Sequence, residues 1–512
     1  MRPPRPPVAL WAGLTGLPFA VVAVGALASR REIVPGADFA LIDMAARRAQ
    51  RWHQLLGVFD RYGWHHPGPA YLYVVSFLLR VTGPAHGAQA QVAAAAVIAG
   101  AAAVGTVVVC AGLWPAERRA RAAAAAAVVT AAVAVVGRAL LADPWNPYVV
   151  VLPLLLTIVL AVAAARGSAS ALAAVVVVGS FAVQSDIGTA PPVALALIGA
   201  SGGFAVSRRR GDRTVTRGPA DRSWGVPVAL LVVGAAMWIP VLVEQVSGSP
   251  GNLTLLWRFF TAAHAHAGAG VGAGVTGFEQ ASLVGVSPPA LALDLHPGWV
   301  AFAVSLAAAA AAVVFCRWRR QPVATAVAAA GGLGTLAGLV AGAQIVGPPF
   351  GYLLAWTVAP AIAVVLAVAL AVGPRAGTAV MGCAAVAVAG LLARAVPLAN
   401  ASALADAKAA AAWKLVAPVA QATPSARFGL SATDIQSLFA MAGVADELDR
   451  RGMTFSVPAN VAYSYGPGHR ALPGRWLVLV GRGSAIPPGY RAAGTVGDIT
   501  LGVADARPPG WA

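Results

Sequence analysis

Long apolar runs broken by short polar connections set the rhythm of the 512-residue chain. Runs long enough to cross the ~30 Å hydrocarbon core of a bilayer fall at about 8–28, 91–113, 122–142, 148–165, 169–183, 188–207, 224–243, 299–316, 323–343, 352–373 and 377–396. They predict about eleven transmembrane helices. A further apolar stretch, PAYLYVVSFLLRVTG at 69–83, is shorter, opens on proline and carries Arg80, so it reads as a helix lying along or dipping into the interface. Before it, DFALIDMAARRAQRWHQLL puts Phe39, Ile42, Ala45, Ala46, Ala49, Trp52, Leu55 and Leu56 at helical spacing, with Asp43, Arg47, Gln50 and Gln54 on the other side. That pattern predicts an interfacial amphipathic helix. Gly57, Gly63, Pro67, Gly68 and Pro69 then force a corner, so the first loop reads as a horizontal helix, a tight polar corner and a second interfacial helix.

The pattern changes after residue 396. SATDIQSLFAMAGVADELDRRG has a T-x-x-Q capping box at Thr433 and Gln436, apolar residues at Ile435, Leu438, Phe439 and Val444, and a terminating Gly452. RFGLS, TFSVP, RWLVLVG and DITLGV are short apolar runs bounded by Gly, Pro and Asp, as in strands. The expected organisation is an all-α polytopic membrane domain over 1–396, with outer loops at 29–90 and 244–298, and a small extracytoplasmic α/β or α+β domain over 397–512.

Composition agrees with the pattern: 59% of residues are hydrophobic, 11% are charged, and the mean hydropathy is +0.74. The formal charge of +17 does not point to nucleic acid, because the arginines sit in short loops between apolar runs rather than on one soluble face. They orient the chain instead. With 69–83 not crossing and the amino terminus inside, Arg2, Arg5, Arg118, Arg119, Arg121, Arg166, the run RRRGDRTVTRGPADR (208–222), Arg317, Arg319, Arg320 and Arg375 are cytoplasmic, while the short outer loops hold only Arg138 and Arg258. The first apolar run is long for a secretory signal, and its removal would leave this topology unchanged. Cys110, Cys316 and Cys383 lie in or beside apolar runs and suggest neither a disulfide framework nor a metal motif.

Within this apolar chain GVFDRYGWHHPGPAYLYV (57–74) stands out, with an aspartate, an arginine, two histidines and five aromatics in eighteen positions. The first loop begins with an acidic residue soon after the first span, runs through a horizontal helix and reaches an H-P-G-P corner. In this it resembles the polyprenyl-phosphate-sugar-dependent integral-membrane glycosyltransferases of the GT-C fold. GADFALIDMAARRA (36–49), FDRYGWHHPGPAYLY (59–73), DPWNPY (143–148), QSD (184–186) and PGNLTLLWRFF (250–260) resemble an actinobacterial-type branch. The chain departs from that branch with FDRYGW where Tyr-Ser-Arg is usual and Asp186 where a histidine is common. The resemblance implies transfer of a sugar from a polyprenyl-phosphate donor, with inversion, to an extracytoplasmic glycan, lipid or protein acceptor at the plasma membrane.

Such transfer needs a base for the acceptor's proton and cations or donors for the leaving phosphate. The resemblance makes Asp38 the base, against a helix N-cap as the alternative. Asp43, Asp60, Arg61, His65, His66, Arg80, Trp145, Asn146, Gln184 and Asp186 are the candidates for donor or acceptor binding. Each also has a structural reading. Asp43 is spaced for a solvated ion pair with Arg47, the histidines for bonds within the corner, Arg61 and Arg80 for lipid head groups, Trp145 for the interfacial belt and Asn146 for a turn. In the second loop Glu279, Asp294, His264, His266 and His296 add polar groups, but HAHAGAGVGAG (264–274) lacks ligand-grade spacing. A divalent ion is used by some relatives of the fold and not by others. The rival functions are a transporter or flippase of a lipid-linked or amphiphilic substrate, disfavoured by spans nearly free of ionisable groups, and a non-catalytic scaffold, which leaves the corner unexplained.

Overall fold

The computed structural model describes residues 7–210, 224–262, 299–346, 351–372, 377–466, 469 and 474–505. Each of the apolar runs expected to cross a membrane lies on helix. Eight helical stretches among the described residues are long and apolar enough to span: Val8–Ala28, Pro84–Gly112, Pro115–Val136, Asn146–Ala165, Ile187–Arg209, Gly225–Ser247, Pro322–Ala343 and Tyr352–Val372. The runs at 169–183, 299–316 and 377–396 form the helices Ala169–Ser185, Trp299–Trp318 and Gly377–Leu398. This is the fold of a multi-pass membrane protein. We label the first helices α1 (Val8–Ala28), α2 (Ala37–Gln50) and α3 (Ala70–Thr82). At 13 residues, α3 is about 20 Å long, too short to cross.

The chain divides into two compact units. The first comprises Met1–Ala23, His66–Ala70 and Ala95–Pro397; the second comprises Val24–His65, Tyr71–Ala94 and Leu398–Ala512.

The first unit is a helix bundle. The helix Ala169–Ser185 starts where the Ser168 hydroxyl accepts the Ala171 N–H at 3.1 Å. Helices of the bundle approach one another through small residues: a Cβ on Gly203 would stand 2.5 Å from that of Ala165, and one on Gly331 would meet the Pro360 carbonyl at 2.9 Å. Without a hydrophobic force to drive helices together in lipid, such close backbone packing holds the bundle.

The second unit is built on a five-stranded sheet of order β2-β1-β3-β5-β4, with β1 (Phe428–Ala432), β2 (Phe455–Ser456), β3 (Arg475–Val480), β4 (Arg491–Val496) and β5 (Ile499–Ala504). β1 runs parallel to β2 and β3, and β5 is antiparallel to β3 and β4. The four expected strands are present; β4 was not foreseen, because RAAGTV lies mostly exposed at an edge and carries no apolar run. The helix Ile435–Arg450 is capped one residue later than the T-x-x-Q reading predicts. Asp434 accepts the N–H groups of Gln436 and Ser437, and the Ser437 hydroxyl returns to the Asp434 N–H. A carboxylate outcompetes the neighbouring threonine for those donors.

α2 belongs to this second unit. Its Ala40, Leu41 and Met44 share one core with Ala440, Met441, Val444 and Leu448 of the helix Ile435–Arg450, and with Phe428 and Leu477 of the sheet. The expected amphipathic helix is present, with its apolar side packed on protein. The backbone leading into it is fixed as well: Pro35 bridges Ala405, and the Asp406 N–H donates to the Val34 carbonyl at 3.0 Å. A Cβ on Gly36 would collide with the Asp406 carboxylate, which caps the helix Ala407–Ala422.

Candidate functional site

The candidate residues fall into both units. In the second unit, α2 starts at Ala37 with Gly36 as its N-cap. Asp38 is therefore one residue inside the helix, in its first turn and half-buried, and it is not the N-cap. The capping alternative is thus replaced by a first-turn carboxylate, a position the helix dipole favours.

One turn further on, Asp43 differs from expectation. The i,i+4 pair with Arg47 forms, at 3.0 Å, but it is not solvated: Asp43 is fully buried and Arg47 is 9% exposed. The reason is the helix Ile435–Arg450. Arg47 also bonds Asp446 at 2.5 Å and Asp449 at 2.8 Å, while Arg450 reaches Asp43 at 3.4 Å, Asp446 at 2.9 Å and Glu447 at 3.1 Å. Burial alone disfavours the Arg47 guanidinium, yet Asp446, Asp43 and Asp449 together raise it well above its ordinary value. Burial, with Asp43 beside it, raises the Asp446 carboxyl. Sequence reasoning missed Asp446, Asp449 and Arg450 as partners; the only signal was the alternation of acids and arginines in DELDRR facing ARR.

The polar corner opens with a hairpin. Phe59 pairs with His65, the Asp60 N–H donates to the Trp64 carbonyl at 2.8 Å, and Gly63 supplies the positive φ of 86° that the turn requires. The Asp60 carboxylate accepts the Tyr62 N–H at 2.9 Å. Burial pushes its carboxyl up to about 6, against the pull of that bond and of Arg61. Arg61 is exposed, lying 4.9 Å from the Tyr62 ring centre. Burial, and then Arg48, pull the His65 imidazole down to about 4, so it is neutral near pH 7; its ring stands edge-on to Tyr463 at 6.4 Å. Arg48, another residue the sequence reading passed over, donates to Gln54 Oε1 and to the Tyr465 carbonyl, each at 2.9 Å. Arg48, Gln54, His65 and Ser464 line one cleft. Arg80 is exposed and donates to the Gln50 carbonyl at 3.1 Å, at the carboxyl end of α2.

In the first unit the structure draws three motifs distant in sequence to one place. His66 Nδ1 accepts the Ile187 N–H at 3.0 Å, which leaves its ring proton on Nε2. The Gly68 N–H donates to the Gln184 carbonyl at 3.4 Å, and a Cβ on Gly68 would meet Gln184 Oε1 at 2.4 Å. Gln184 donates to the Met237 carbonyl at 2.9 Å, and Asn146 to the Ser185 carbonyl at 3.1 Å. Asp186 accepts the Gly188 N–H at 2.9 Å and caps the turn Ile187–Thr189. His66, Asn146, Gln184 and Asp186 are all buried, and Trp145 packs on Tyr352 with ring centres 4.6 Å apart. H-P-G-P, W-N-P and Q-S-D thus form one braced corner of the bundle.

Among the described residues no group of three His, Cys, Asp or Glu side chains is arranged to hold a metal ion. His264, His266, Glu279, Asp294 and His296, with most of residues 244–298 and of the 208–222 run, lie outside the described residues.

No family model and no curated protein matches the sequence. Solved structures do match in fold. The crystal structure of ArnT from Cupriavidus metallidurans bound to undecaprenyl phosphate aligns with a TM-score of 0.57 and 12% identity over 97% of each chain. The apo state of ArnT from the same organism aligns with a TM-score of 0.55 and 11% identity, again over 97% of each. The archaeal oligosaccharyltransferase AglB from Archaeoglobus fulgidus, in complex with an inhibitory peptide and a dolichol-phosphate, matches more remotely, with a TM-score of 0.43 and 13% identity over 92% of this chain and 69% of that one. The chain has a GT-C-like fold: a multi-pass helical bundle with a small sheet domain.

Proposed function

We propose that the protein is a membrane glycosyltransferase that takes a sugar from a polyprenyl-phosphate donor and passes it to an acceptor on the extracytoplasmic face. The observation that carries this reading is the full-length likeness in fold to a chain bound to undecaprenyl phosphate. The first-turn carboxylate of Asp38, which is not the N-cap, supports it from within the chain.

In this reading Asp38 takes the proton of the acceptor hydroxyl as that oxygen bonds to the anomeric carbon. The bond from that carbon to the phosphate oxygen breaks, polyprenyl phosphate leaves with the electron pair, and the anomeric centre inverts. Arg61 and Arg80, both exposed, supply positive charge for the phosphate. Asp60 and Asp186 are the other carboxylates considered for the base, but each accepts a backbone N–H of its own turn. His66, Trp145, Asn146 and Gln184 brace the corner. The H-P-G-P corner with its upstream acidic residue supports a place in the actinobacterial-type branch, from which Asp186 departs.

The test is to incubate the purified protein with a panel of radiolabelled polyprenyl-phosphate sugars. One donor should be consumed, with release of polyprenyl phosphate and a product of inverted anomeric configuration. A protein that moves intact donor across proteoliposomes without consuming it is a flippase, and the proposal fails. The orientation is tested with single cysteines. Those at Ser249 and Ser425 should react with an impermeant thiol reagent in intact cells, and one at Gln321 should not.

A further inference from the structure

The second unit holds a cavity that the transfer chemistry does not use. It is an open cleft of about 250 Å³ beyond the carboxyl ends of the parallel strands β1 and β2, where open α/β sheets take ligands. Its lining mixes apolar side chains, Ile435, Leu438 and Val461 among them, with the polar Thr433, Asp434 and Asn460. Ile435 is 57% exposed, a large apolar side chain left at the surface.

The charge in the lining restricts what can enter. Asp434 Oδ1 accepts the N–H groups of Gln436 and Ser437 at 2.9 and 3.0 Å. Its Oδ2 takes the Ser437 hydroxyl at 2.6 Å, the Thr433 hydroxyl at 3.1 Å and the Gly481 N–H at 3.1 Å. Hydrogen bonds from Ser437, ahead of those from Thr433 and Gln436, hold this carboxyl down to about 2. A permanently ionised group repels a phosphate or carboxylate ligand. A carboxylate has about four lone-pair sites, so one already taking five donors offers no ligand position to a cation. A neutral occupant remains. The volume falls just below the ~300–1,000 Å³ of pockets that enclose drug-sized ligands, so it suits one ring rather than a chain of them. A lining that combines apolar side chains with an amide and a hydroxyl matches a sugar ring, which has a C–H face and a hydroxyl edge.

We propose that this cavity binds one neutral sugar residue of a glycan, with its C–H face on Ile435, Leu438 and Val461 and its hydroxyls toward Asn460 and Thr433. Only the identification of that glycan as the acceptor rests on the transfer reading. The test uses the full-length protein in nanodiscs of zwitterionic lipid and a panel of methyl hexopyranosides and pentofuranosides, read by saturation-transfer NMR and titration. At least one glycoside should bind. Val461→Trp, which fills the cavity, should abolish binding, and Asn460→Ala should weaken it about three- to tenfold, one hydrogen bond's worth, with the melting temperature unchanged. Inorganic phosphate should not compete. The proposal is overturned if no glycoside binds, if binding survives both substitutions, or if cyclohexanol binds where the glycosides do not. Because binding is read without turnover, glycoside binding without any transfer activity defeats the transfer reading alone, and transfer without glycoside binding defeats this proposal alone.

Discussion

Two aspartates five residues apart on α2 have opposite surroundings. Asp43 is sealed from solvent and held by Arg47 and Arg450, whereas Asp38 is half-buried in the first turn. A carboxylate locked between two guanidinium groups has its negative charge committed to the fold. In the proposed transfer it is Asp38, only half-buried, that meets the acceptor. On the proposed function one helix carries both a holding and a reacting carboxylate, and it is burial against the helix Ile435–Arg450 that commits Asp43 to the first role.

The largest effect should come from breaking the held side. Arg47→Ala leaves Asp43 and Asp446 buried beside one fewer cation, and loss of one partner from a buried pair costs about 3–5 kcal/mol. Thermal unfolding should register most of that, and an unchanged melting temperature would show the network to be idle. Next comes the reacting side. Asp38→Asn should lower turnover by ~10²-fold or more with the melting temperature and donor binding preserved. Because Gly36 is the cap, Asp38→Ala should behave the same way; normal turnover in either variant removes Asp38 as the base.

A smaller effect is expected in the bundle. Gly68→Ala forces a methyl group against Gln184 and Val241, and overpacking of this kind costs about 1–3 kcal/mol. Equal stability in that variant would mean the braced corner yields easily. The last effect depends on pH and concerns Asp60, a carboxylate between the two extremes. Its folded value of about 6 lies above the ordinary ~3.9, so the folded state binds the proton more tightly. Stability from this group is present below pH 4 and is lost as pH rises to 6. Asp60→Asn should match the parent protein at pH 4 and melt higher at pH 7; a gap that does not change with pH contradicts the burial of that carboxyl.

The sequence made most of the scaffold readable because its signals are local. Each apolar run became helix, since an apolar segment in lipid must satisfy its backbone internally, and the Gly and Pro residues of 57–69 marked the corner. The local rules stop at Asp43. The i,i+4 spacing to Arg47 announced a pair, but its burial depends on Asp446 and Arg450, some four hundred residues away, and periodicity within α2 carries no trace of them. The braced corner was legible as three motifs without a connection; the bond from Ile187 to His66 belongs to the folded bundle alone. β4 escaped because an exposed edge strand of small residues has no apolar face to display.

The reach from Arg47 to Asp449, 402 residues along the chain, also has a temporal meaning. At ~5–20 residues per second of synthesis, α2 emerges on the order of 20–80 s before the helix that completes its core. Throughout that interval Leu41 and Met44 lack their cover, and Asp43 and Arg47 have only each other. A chain truncated before residue 435 should therefore insert its helices in the bilayer yet leave the first loop open to proteases, making protection of α2 a clock for completion of the whole protein.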